Sequence, residues 1–546
     1  MPFRGRPLSV EKNRHMLFNS YEFIFVFLPC CLLVFFALAR LGLTTLSLAF
    51  LVAASLFFYG WHTPFFLFIL VGSICVNYAF GQFLLFPLDD NRKLARRLLL
   101  GSGVVLNLSV LGYYKYAGFL TAVVSGAPFS LAQVALPLAI SFFTLQQIAF
   151  LADCAGSKAI ERDFLRYALF VSFFPQLIAG PIVHHQEMMP QFQRKRPFAI
   201  SLERFAVGAS IFAIGLFKKV IIADTLAKYG DPVFQYADSG YALSFAEAWV
   251  GALCFTFQLY FDFSGYSDMA IGLARLFGVR LPANFRSPYK SLSIIEFWRT
   301  WHMTLGRFLR DYVYIPLGGS RKGITARHAN LMITMVIGGI WHGAGWTFLL
   351  WGAFHGVALT MNHLWRFAVR RLGRQNARPR LIFQALAFCL TFTTVVTGWV
   401  LFRAETIDGA FLMLRTMYLG GEISLPASLL PLLGEPLVTA TQSAGVVFNG
   451  LFPNLDRDLN VLVLSFREAI PILLIVFTVV LSMPNTEQLF RRYRPTLDMD
   501  SRFRPPVSKA FVEWRATFSW GIATGFLLIV AILGIAGESP FLYFQF

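Results

Sequence analysis

Residues 338–346, with the sequence GGIWHGAGW, place one histidine in an otherwise apolar part of the chain. Histidine is the side chain best suited to proton transfer near neutral pH, so His342 is a candidate general base. The glycines around it permit close backbone approach and tight turns, and Trp341 can shield the site from lipid. A structural role, with the imidazole hydrogen-bonded to a carbonyl at a helix kink, is the alternative that composition alone slightly favours.

Further polar residues lie near this histidine, between 260 and 355. The segment FWRTWH at 297–302 carries His302, which is either a second catalytic residue or an interface residue anchored by tryptophans. The segment YFDFSGYSD at 260–268 places Asp262 and Asp268 in an apolar run. Ionisable groups inside a membrane are costly and often mark functional sites. We expect the two carboxylates to support the core, paired with Arg275 or Arg280.

Basic residues in the same stretch could bind a phosphate-bearing donor. Arg299, Arg307 and Lys290 are the candidates, because such side chains form charge-assisted hydrogen bonds with phosphate. The alternative is that they are ordinary charged residues of cytoplasmic loops, as most basic residues of this kind are. The sequence has no GxGxxG, Walker, HExxH or GxSxG motif, which argues against nucleotide-fold, ATPase, zinc-protease and hydrolase classes. The cysteines lie in or beside apolar runs without CxxC spacing, so we expect neither a disulfide framework nor a metal site.

Membrane helices are the elements that must position these residues. Of the 546 residues, 56% are apolar and only 14% are charged, whereas soluble domains carry about 25% charged residues. Repeated apolar runs of about 20 residues, the length that crosses a bilayer, predict an all-α polytopic integral membrane protein. We expect about 11–13 transmembrane helices plus a broken or re-entrant segment at 165–183, which contains Pro175, Gly180 and Pro181.

The distribution of basic residues predicts the orientation of the chain. The net charge of +18 lies mainly in short loops between apolar runs, as in the cytoplasmic loops of membrane proteins, so nucleic acid is not an expected partner. This asymmetry places 366–381 and 487–515 in the cytoplasm and 403–469 in the periplasm. The runs at 330–341 and 344–364 have basic flanks, so they should form a hairpin with His342 near its tip. Residues 1–15 conflict with this topology, and we interpret them as an extension before a natural start at Met16.

Several motifs follow one another along the chain. They are LFNSYEF at 17–23, YKY at 114–116, LPLAISFFTLQ at 136–146, FPQLIAGPI at 174–182, GLFKKVIIAD at 215–224, the stretch 260–355, LFRA at 401–404 and PFLYFQF at 540–546. In this order they resemble the membrane-bound O-acyltransferase (MBOAT) family, and within it the bacterial subgroup that contains the membrane component of alginate O-acetylation. Ala139 stands where the family pattern has glycine, and Leu145 where phenylalanine is usual. The resemblance implies one membrane domain at 16–546, with 260–355 as its catalytic core.

The resemblance also implies acyl transfer across the membrane. His342 corresponds to the family's essential histidine, and His302 to its second recurrent polar position. The implied donor is cytoplasmic acetyl-CoA, used as a substrate without a tightly bound cofactor. The implied setting is the bacterial inner membrane, beside a periplasmic SGNH-type acetyltransferase and a polysaccharide biosynthesis complex.

The acceptor and two alternative functions stay open at this point. Alginate, cellulose, another exopolysaccharide and peptidoglycan are all compatible with the sequence. A transporter or lipid-linked sugar flippase would also carry broken helices and intramembrane carboxylates, but the chain has no internal repeat of the kind that transporters show. A scaffold subunit of an exopolysaccharide secretion complex would use the polar residues only to hold helices together.

Overall fold

The computed structural model describes residues 16–61, 63–86, 93–126, 136–157, 161–193, 201–371, 380–420, 423–424, 430–443, 445–448, 468–497, 512–535 and 541–542. Within these residues the chain consists of helices and connecting segments, apart from one pair of two-residue strands, so the all-α prediction is confirmed. The predicted extension at 1–15 lies outside the described residues. The division into a single domain from residue 16 onward stays a prediction.

The N-terminal part of the chain includes a broken helical segment. Its helices are α1 (Leu28–Arg40), which a π-helical turn at Phe23–Phe27 precedes, α2 (Thr44–Gly60), α3 (Pro64–Leu85), α4 (Lys93–Ser125), α5 (Ile140–Ala155), α6 (Phe164–Ser172), α7 (Phe174–Leu177) and α8 (His185–Phe192). The segment predicted to be broken, 165–183, consists of α6, α7 and irregular backbone from 178 onward, so that prediction is confirmed. Pro181 lies in the irregular part, where a missing backbone N–H removes no helical hydrogen bond.

The middle and C-terminal parts contain the longest buried helix and a helical hairpin. Their helices are α9 (Leu202–Phe217), α10 (Asp224–Asp238), α11 (Phe245–Leu276), α12 (Ile294–Thr300), α13 (Met303–Leu309), α14 (Ile324–His342), α15 (Trp346–Arg371), α16 (Leu381–Arg403), α17 (Ile407–Arg415), α18 (Leu430–Ser443), α19 (Ala469–Ser482), α20 (Thr486–Leu489) and α21 (Phe518–Leu533). A π-helical segment at Lys218–Ala223 joins α9 to α10. Strands β1 (Ile423–Ser424) and β2 (Val446–Val447) pair in parallel within 403–469.

Several helices are suited to crossing a membrane, so the protein is a multi-pass membrane protein. Five helical stretches among the described residues are long and apolar enough: Phe23–Arg40, Pro64–Leu85, Lys93–Ser125, Leu202–Asp238 and Leu381–Arg403. Shorter apolar helices are Thr44–Gly60, Ile140–Ala155, Ala469–Ser482 and Phe518–Leu533. The total of about 11–13 crossings and the side on which each loop lies stay predictions.

Helix α11 forms the centre of the bundle, and nearly all of its residues from 247 to 276 are buried. Glycines allow α9 to approach it closely. A Cβ atom on Gly215 would lie 2.6 Å from the carbonyl oxygen of Gly265, and Gly208 and Gly272 make a second contact of this kind. Small residues favour close helix packing in membranes, where apolar side chains gain little by leaving lipid. The end of α9 therefore lies against the polar middle of α11.

The predicted hairpin around His342 is confirmed, because α14 and α15 are joined only by residues 343–345. The two helices also pack through glycines. A Cβ atom on Gly339 would overlap the carbonyl oxygen of Phe348, and one on Gly352 would lie 2.6 Å from the carbonyl oxygen of Met335. This close packing holds the end of α14, and with it the histidine, in a fixed place.

Candidate active site

His342 is the last residue of α14 and is buried, with 5% of its surface exposed. Its ring centroid lies 4.9 Å from that of Trp341, 5.2 Å from that of Trp351 and 5.3 Å from that of Phe402. These aromatic rings exclude lipid and bulk water from the imidazole. The hairpin brings Trp351 to the histidine from α15, and α16 supplies Phe402.

His302 lies beside His342, so the structure brings the two histidines of the sequence analysis together. Their ring centroids are 6.4 Å apart. His302 precedes α13 and has a φ angle of +43°, in the left-handed region that residues other than glycine rarely adopt. Backbone conformations of this kind cost of order 1–3 kcal/mol and persist where the surrounding structure holds them, often at functional sites.

Asn284 defines which nitrogen of His302 carries the proton. The Asn284 Oδ1 atom accepts hydrogen bonds from the backbone N–H and the hydroxyl of Thr304, which identifies it as the amide oxygen. It also lies 3.1 Å from Nδ1 of His302, so this nitrogen is the donor. The neutral ring therefore has Nε2 as its basic nitrogen. Sequence reasoning included Asn284 in the polar stretch but gave it no role.

The two carboxylates on α11 are paired with lysines, which corrects the expectation of arginine partners. Asp262 lies 2.7 Å from Nζ of Lys219, and Asp268 lies 2.6 Å from Nζ of Lys218. The lysines precede the carboxylates by more than 40 residues and reach them because α9 packs on α11. Arg275 instead donates a hydrogen bond to the carbonyl of Tyr493.

The three basic donor-binding candidates have different surroundings. Arg307 forms an ion pair with Glu187, with Nη2 2.9 Å from Oε2. The ammonium of Lys290 donates a hydrogen bond to the carbonyl of Met483 at 2.6 Å. The Arg299 side chain is exposed and close enough to Arg366 for their charges to interact. The geometry therefore leaves Arg299 as the most accessible of the three cations.

Two cavities lie near the histidine pair. The carboxylate cavity is lined by Lys218, Tyr260, Ser264, Ser267, Asp268 and Asn284, and by residues between 485 and 496. The histidine cavity is lined by Lys115, residues 136–142, Ile178, Trp341 and His342. Asn284 links the first cavity to His302, and His342 faces the second. Ala139, on the wall of the histidine cavity, has a φ angle of +62°, which accounts for glycine as the residue expected at this position.

Lys115 is the most prominent residue of the site to which sequence reasoning gave no role. Its ammonium donates hydrogen bonds to the carbonyl oxygens of Trp341 and His342, at 2.7 and 2.8 Å. The available signal was a lysine inside a long apolar helix, since an ionisable residue at membrane depth is rarely accidental.

Comparison with known proteins identifies the family. The model of the membrane-bound O-acyltransferase family matches residues 139–401. The chain is similar to the peptidoglycan O-acetyltransferase of Helicobacter pylori, with 44% identity over 440 residues that cover 75% of this chain and 81% of that protein. It is also similar to the probable alginate O-acetylase AlgI of Pseudomonas putida, with 36% identity over 541 residues that cover 97% of this chain and 100% of that protein.

A more distant relative widens the range of acyl groups but keeps the type of reaction. The teichoic acid D-alanyltransferase of Streptococcus thermophilus is 25% identical over 286 residues, which cover 50% of this chain and 69% of that protein. All three relatives carry the names of enzymes that transfer an acyl group to a polymer, which is peptidoglycan, alginate or teichoic acid. This protein is accordingly an O-acyltransferase, and the chain belongs to the membrane-bound O-acyltransferase family.

Proposed function

We propose that the protein is an O-acetyltransferase of the bacterial inner membrane. It takes acetyl from cytoplasmic acetyl-CoA and transfers it across the membrane for O-acetylation of an exopolysaccharide such as alginate. A relative that matches nearly the whole chain carries the name of an alginate O-acetylase, which supports this class of acceptor. A periplasmic SGNH-type acetyltransferase and a polysaccharide biosynthesis complex are the partners in this proposal.

The contacts of the histidine pair with two cavities carry the proposal. His342 lines one cavity, and Asn284, which bonds to His302, lines the other. The carboxylate cavity is lined by residues between 485 and 496, which overlap the segment 487–515 predicted to be cytoplasmic. The histidine cavity is lined by residues 136–142. These follow the segment 119–130, which has no lysine or arginine and would therefore lie outside. A donor from one side and an acceptor from the other could therefore meet at His302 and His342. A scaffold has no need of two buried histidines in this position.

The proposed reaction is attack by an acceptor hydroxyl on the thioester. His342 removes the hydroxyl proton while the oxygen attacks the thioester carbonyl carbon. A C–O bond forms, the C–S bond breaks, and the proton passes to the departing thiolate. The products are an acetyl ester and the thiol of coenzyme A. His302 presents Nε2 as a proton acceptor, so in this proposal it orients the acceptor hydroxyl.

Three arginines, of which Arg299 and Arg366 are exposed, supply the donor-binding part of the proposal. Arg299, Arg366 and Arg327 surround His363, and their positive charges act on it. Phosphates are bound well by several guanidinium groups that converge. This basic cluster lies at the opposite end of the α14–α15 hairpin from His342, where the sequence places the cytoplasmic loop 366–381. We therefore assign the phosphates of acetyl-CoA to this cluster rather than to Arg307 or Lys290.

Acetyl transfer by membranes that contain a His342→Gln variant tests the proposed function. Glutamine keeps the size and hydrogen bonding of histidine but cannot accept the proton, so we expect a loss of about 10²-fold or more. The matched control is His185→Gln, because His185 is a buried histidine of α8 that packs against Phe150 and Phe170 and lines neither cavity. This variant should leave activity unchanged. Labelled acetyl-CoA is supplied at equal protein levels, and acetyl in polymer is counted. Near wild-type transfer by His342→Gln would show that this histidine is structural.

The same assay distinguishes the acceptors and the alternative functions. Purified alginate and peptidoglycan are offered separately, together with the periplasmic partner, because the relatives carry both names. We expect acetyl on alginate. A scaffold or a flippase would show no dependence on acetyl-CoA and would tolerate the His342→Gln substitution.

A further inference from the structure

Helix α4 caps the C-terminal end of α14, where His342 lies. The hydroxyl of Tyr116 donates a hydrogen bond to the carbonyl oxygen of Ile340 at 2.7 Å. The ammonium of the adjacent Lys115 donates to the carbonyl oxygens of Trp341 and His342. Two neighbouring side chains of α4 thus bind three successive carbonyl groups of α14.

A helix end needs partners of this kind because its last four carbonyl groups have no intrahelical donor. The carbonyls also carry the negative end of the helix dipole, which a cation stabilises. In α14 the chain leaves the helix at Gly343 in an extended conformation, with φ −160° and ψ 156°. In lipid, where water cannot satisfy backbone groups, leaving such carbonyls open is costly.

The hydrogen atoms of the Lys115 ammonium have identifiable acceptors. Besides the two carbonyls, Ser141 offers its hydroxyl oxygen at 3.4 Å. The ammonium also lies 5.9 Å from the centre of the Trp341 ring, within range of a cation–π contact. An ammonium has three hydrogens to donate, and these three oxygens account for them. Lys115 is therefore placed to bind other groups of the protein rather than the acetyl group.

We propose that Lys115, with Tyr116, positions His342 for proton transfer by fixing the last turn of α14. This inference rests on the proposed function of His342 as the base. The last turn can otherwise fray, and a reacting group displaced by about 1 Å can lose about 100-fold in rate. Lys115 is a positioning residue in this proposal and does not touch the substrate.

The test combines substitutions at the cap with the His342→Gln variant. Lys115→Met removes both hydrogen bonds to the carbonyls and keeps the apolar stem. We expect kcat for acetyl transfer to fall about 10- to 100-fold, with KM for acetyl-CoA within about twofold. Tyr116→Phe removes one bond and should lower kcat about three- to tenfold. Tyr113→Phe, on an exposed tyrosine of the same helix, is the matched control and should have no effect.

A double-mutant comparison separates positioning from a general structural role. If Lys115 acts through His342, adding Lys115→Met to His342→Gln should reduce the residual transfer by less than about twofold, because coupled residues are not additive. If Lys115→Met lowers acetyl transfer in the His342→Gln background by the same factor as in the wild-type background, the proposal would be overturned. The His342→Gln variant is also measured alone, so a failure of the proposed function would be seen separately as near wild-type transfer.

Folding is monitored by the yield and thermal midpoint of each variant in detergent. If Lys115→Met does not fold, Tyr116→Phe decides the question, because it keeps the aromatic ring in place. A folded Tyr116→Phe variant with unchanged kcat would then overturn the proposed role of the cap in positioning His342. A folded variant with reduced kcat and unchanged KM, whose effect disappears in the His342→Gln background, would support it.

Discussion

Two lysines near the site are held in opposite ways. Lys219, just after α9, lies between Asp262 and Asp224, at 2.7 and 2.8 Å. Lys115, in α4, is held by main-chain carbonyls at the end of α14. A carboxylate cancels the charge of an ammonium, whereas carbonyl dipoles only solvate it. The ion-paired region around α11 therefore pairs its charges with charges of opposite sign, while the lysine at the hairpin is bonded to neutral carbonyl and hydroxyl oxygens.

This difference distinguishes a region that stabilises the fold from a region that takes part in acyl transfer. In the ion-paired region each charge has a partner of opposite sign, and the pairs hold α9, α11 and α20 together through Lys218, Asp268 and Thr486. A buried pair of this kind contributes little net stability, but losing one member is costly. In the hairpin region the polar groups hold a backbone segment and two imidazole rings. Substitutions there should affect the rate of transfer more than the stability of the fold.

Removal of Lys219 should have the largest effect on stability. Lys219→Met leaves Asp262 buried without its ammonium partner, and breaking one side of a buried pair costs about 3–5 kcal/mol. We expect a lower thermal midpoint in detergent and a reduced yield of folded protein. Adding Asp262→Asn should recover much of the loss, because the isolated charge is removed. Equal losses in the single and double variants would contradict the role of the pair.

Loss of Asn284 should reduce activity more than stability, since this residue links the two regions. Asn284→Ala removes the acceptor that fixes Nδ1–H of His302, and loss of an orienting partner typically costs about 10–100-fold in activity. The measurement is kcat for acetyl transfer per folded protein. Asn330→Ala is the matched control, because Asn330 is a buried asparagine of α14 that bonds to the carbonyl of Gly319. Similar kcat values for the two variants would contradict a role of Asn284 in orienting His302.

Sequence reasoning found the parts of the site that depend on local pattern. The glycines and basic flanks around His342 predicted the hairpin, and the prolines and glycine near residue 180 predicted the broken segment. The same reasoning placed His302 and His342 in one stretch, and the structure brings their rings close together. These features follow from hydrophobic runs, turn residues and intramembrane polar groups, which are visible within a short window of sequence.

The partners of the charged residues could not be predicted in this way. Arginines close in sequence were expected to pair with Asp262 and Asp268, but helix packing brings Lys218 and Lys219 to them. Arg307, a candidate for binding the donor, pairs with Glu187 on α8, and its role in binding the donor stays a prediction. Such contacts join helices that are far apart in the chain, so no local periodicity encodes them.

A methyl group at Gly339 should loosen the hairpin region. The added Cβ would overlap the Phe348 carbonyl oxygen, and overpacking of this kind costs about 1–3 kcal/mol. We expect a lower thermal midpoint and, because the end of α14 shifts, a lower kcat. Gly72→Ala is the control, since a Cβ added to Gly72 of α3 would have no atom from another part of the chain within 4 Å. Alanine there should be neutral or stabilising by up to about 1 kcal/mol. Equal midpoints for the two variants would argue against tight packing at Gly339.

The smallest effect is expected at Arg299, a cation that belongs to neither region. Arg299→Ala should raise KM for acetyl-CoA about two- to tenfold and leave kcat unchanged, because contacts to phosphates are made equally before and during the chemistry. Arg307→Ala should instead lower the yield of folded protein, since it leaves Glu187 without its guanidinium partner. Arg371→Ala is the control, because Arg371 is an exposed arginine at the end of α15, where it stacks on Phe367 of the same helix. If Arg299→Ala and Arg371→Ala give the same KM for acetyl-CoA, the donor phosphates bind elsewhere. The exposure of a cation would then not indicate where the donor binds.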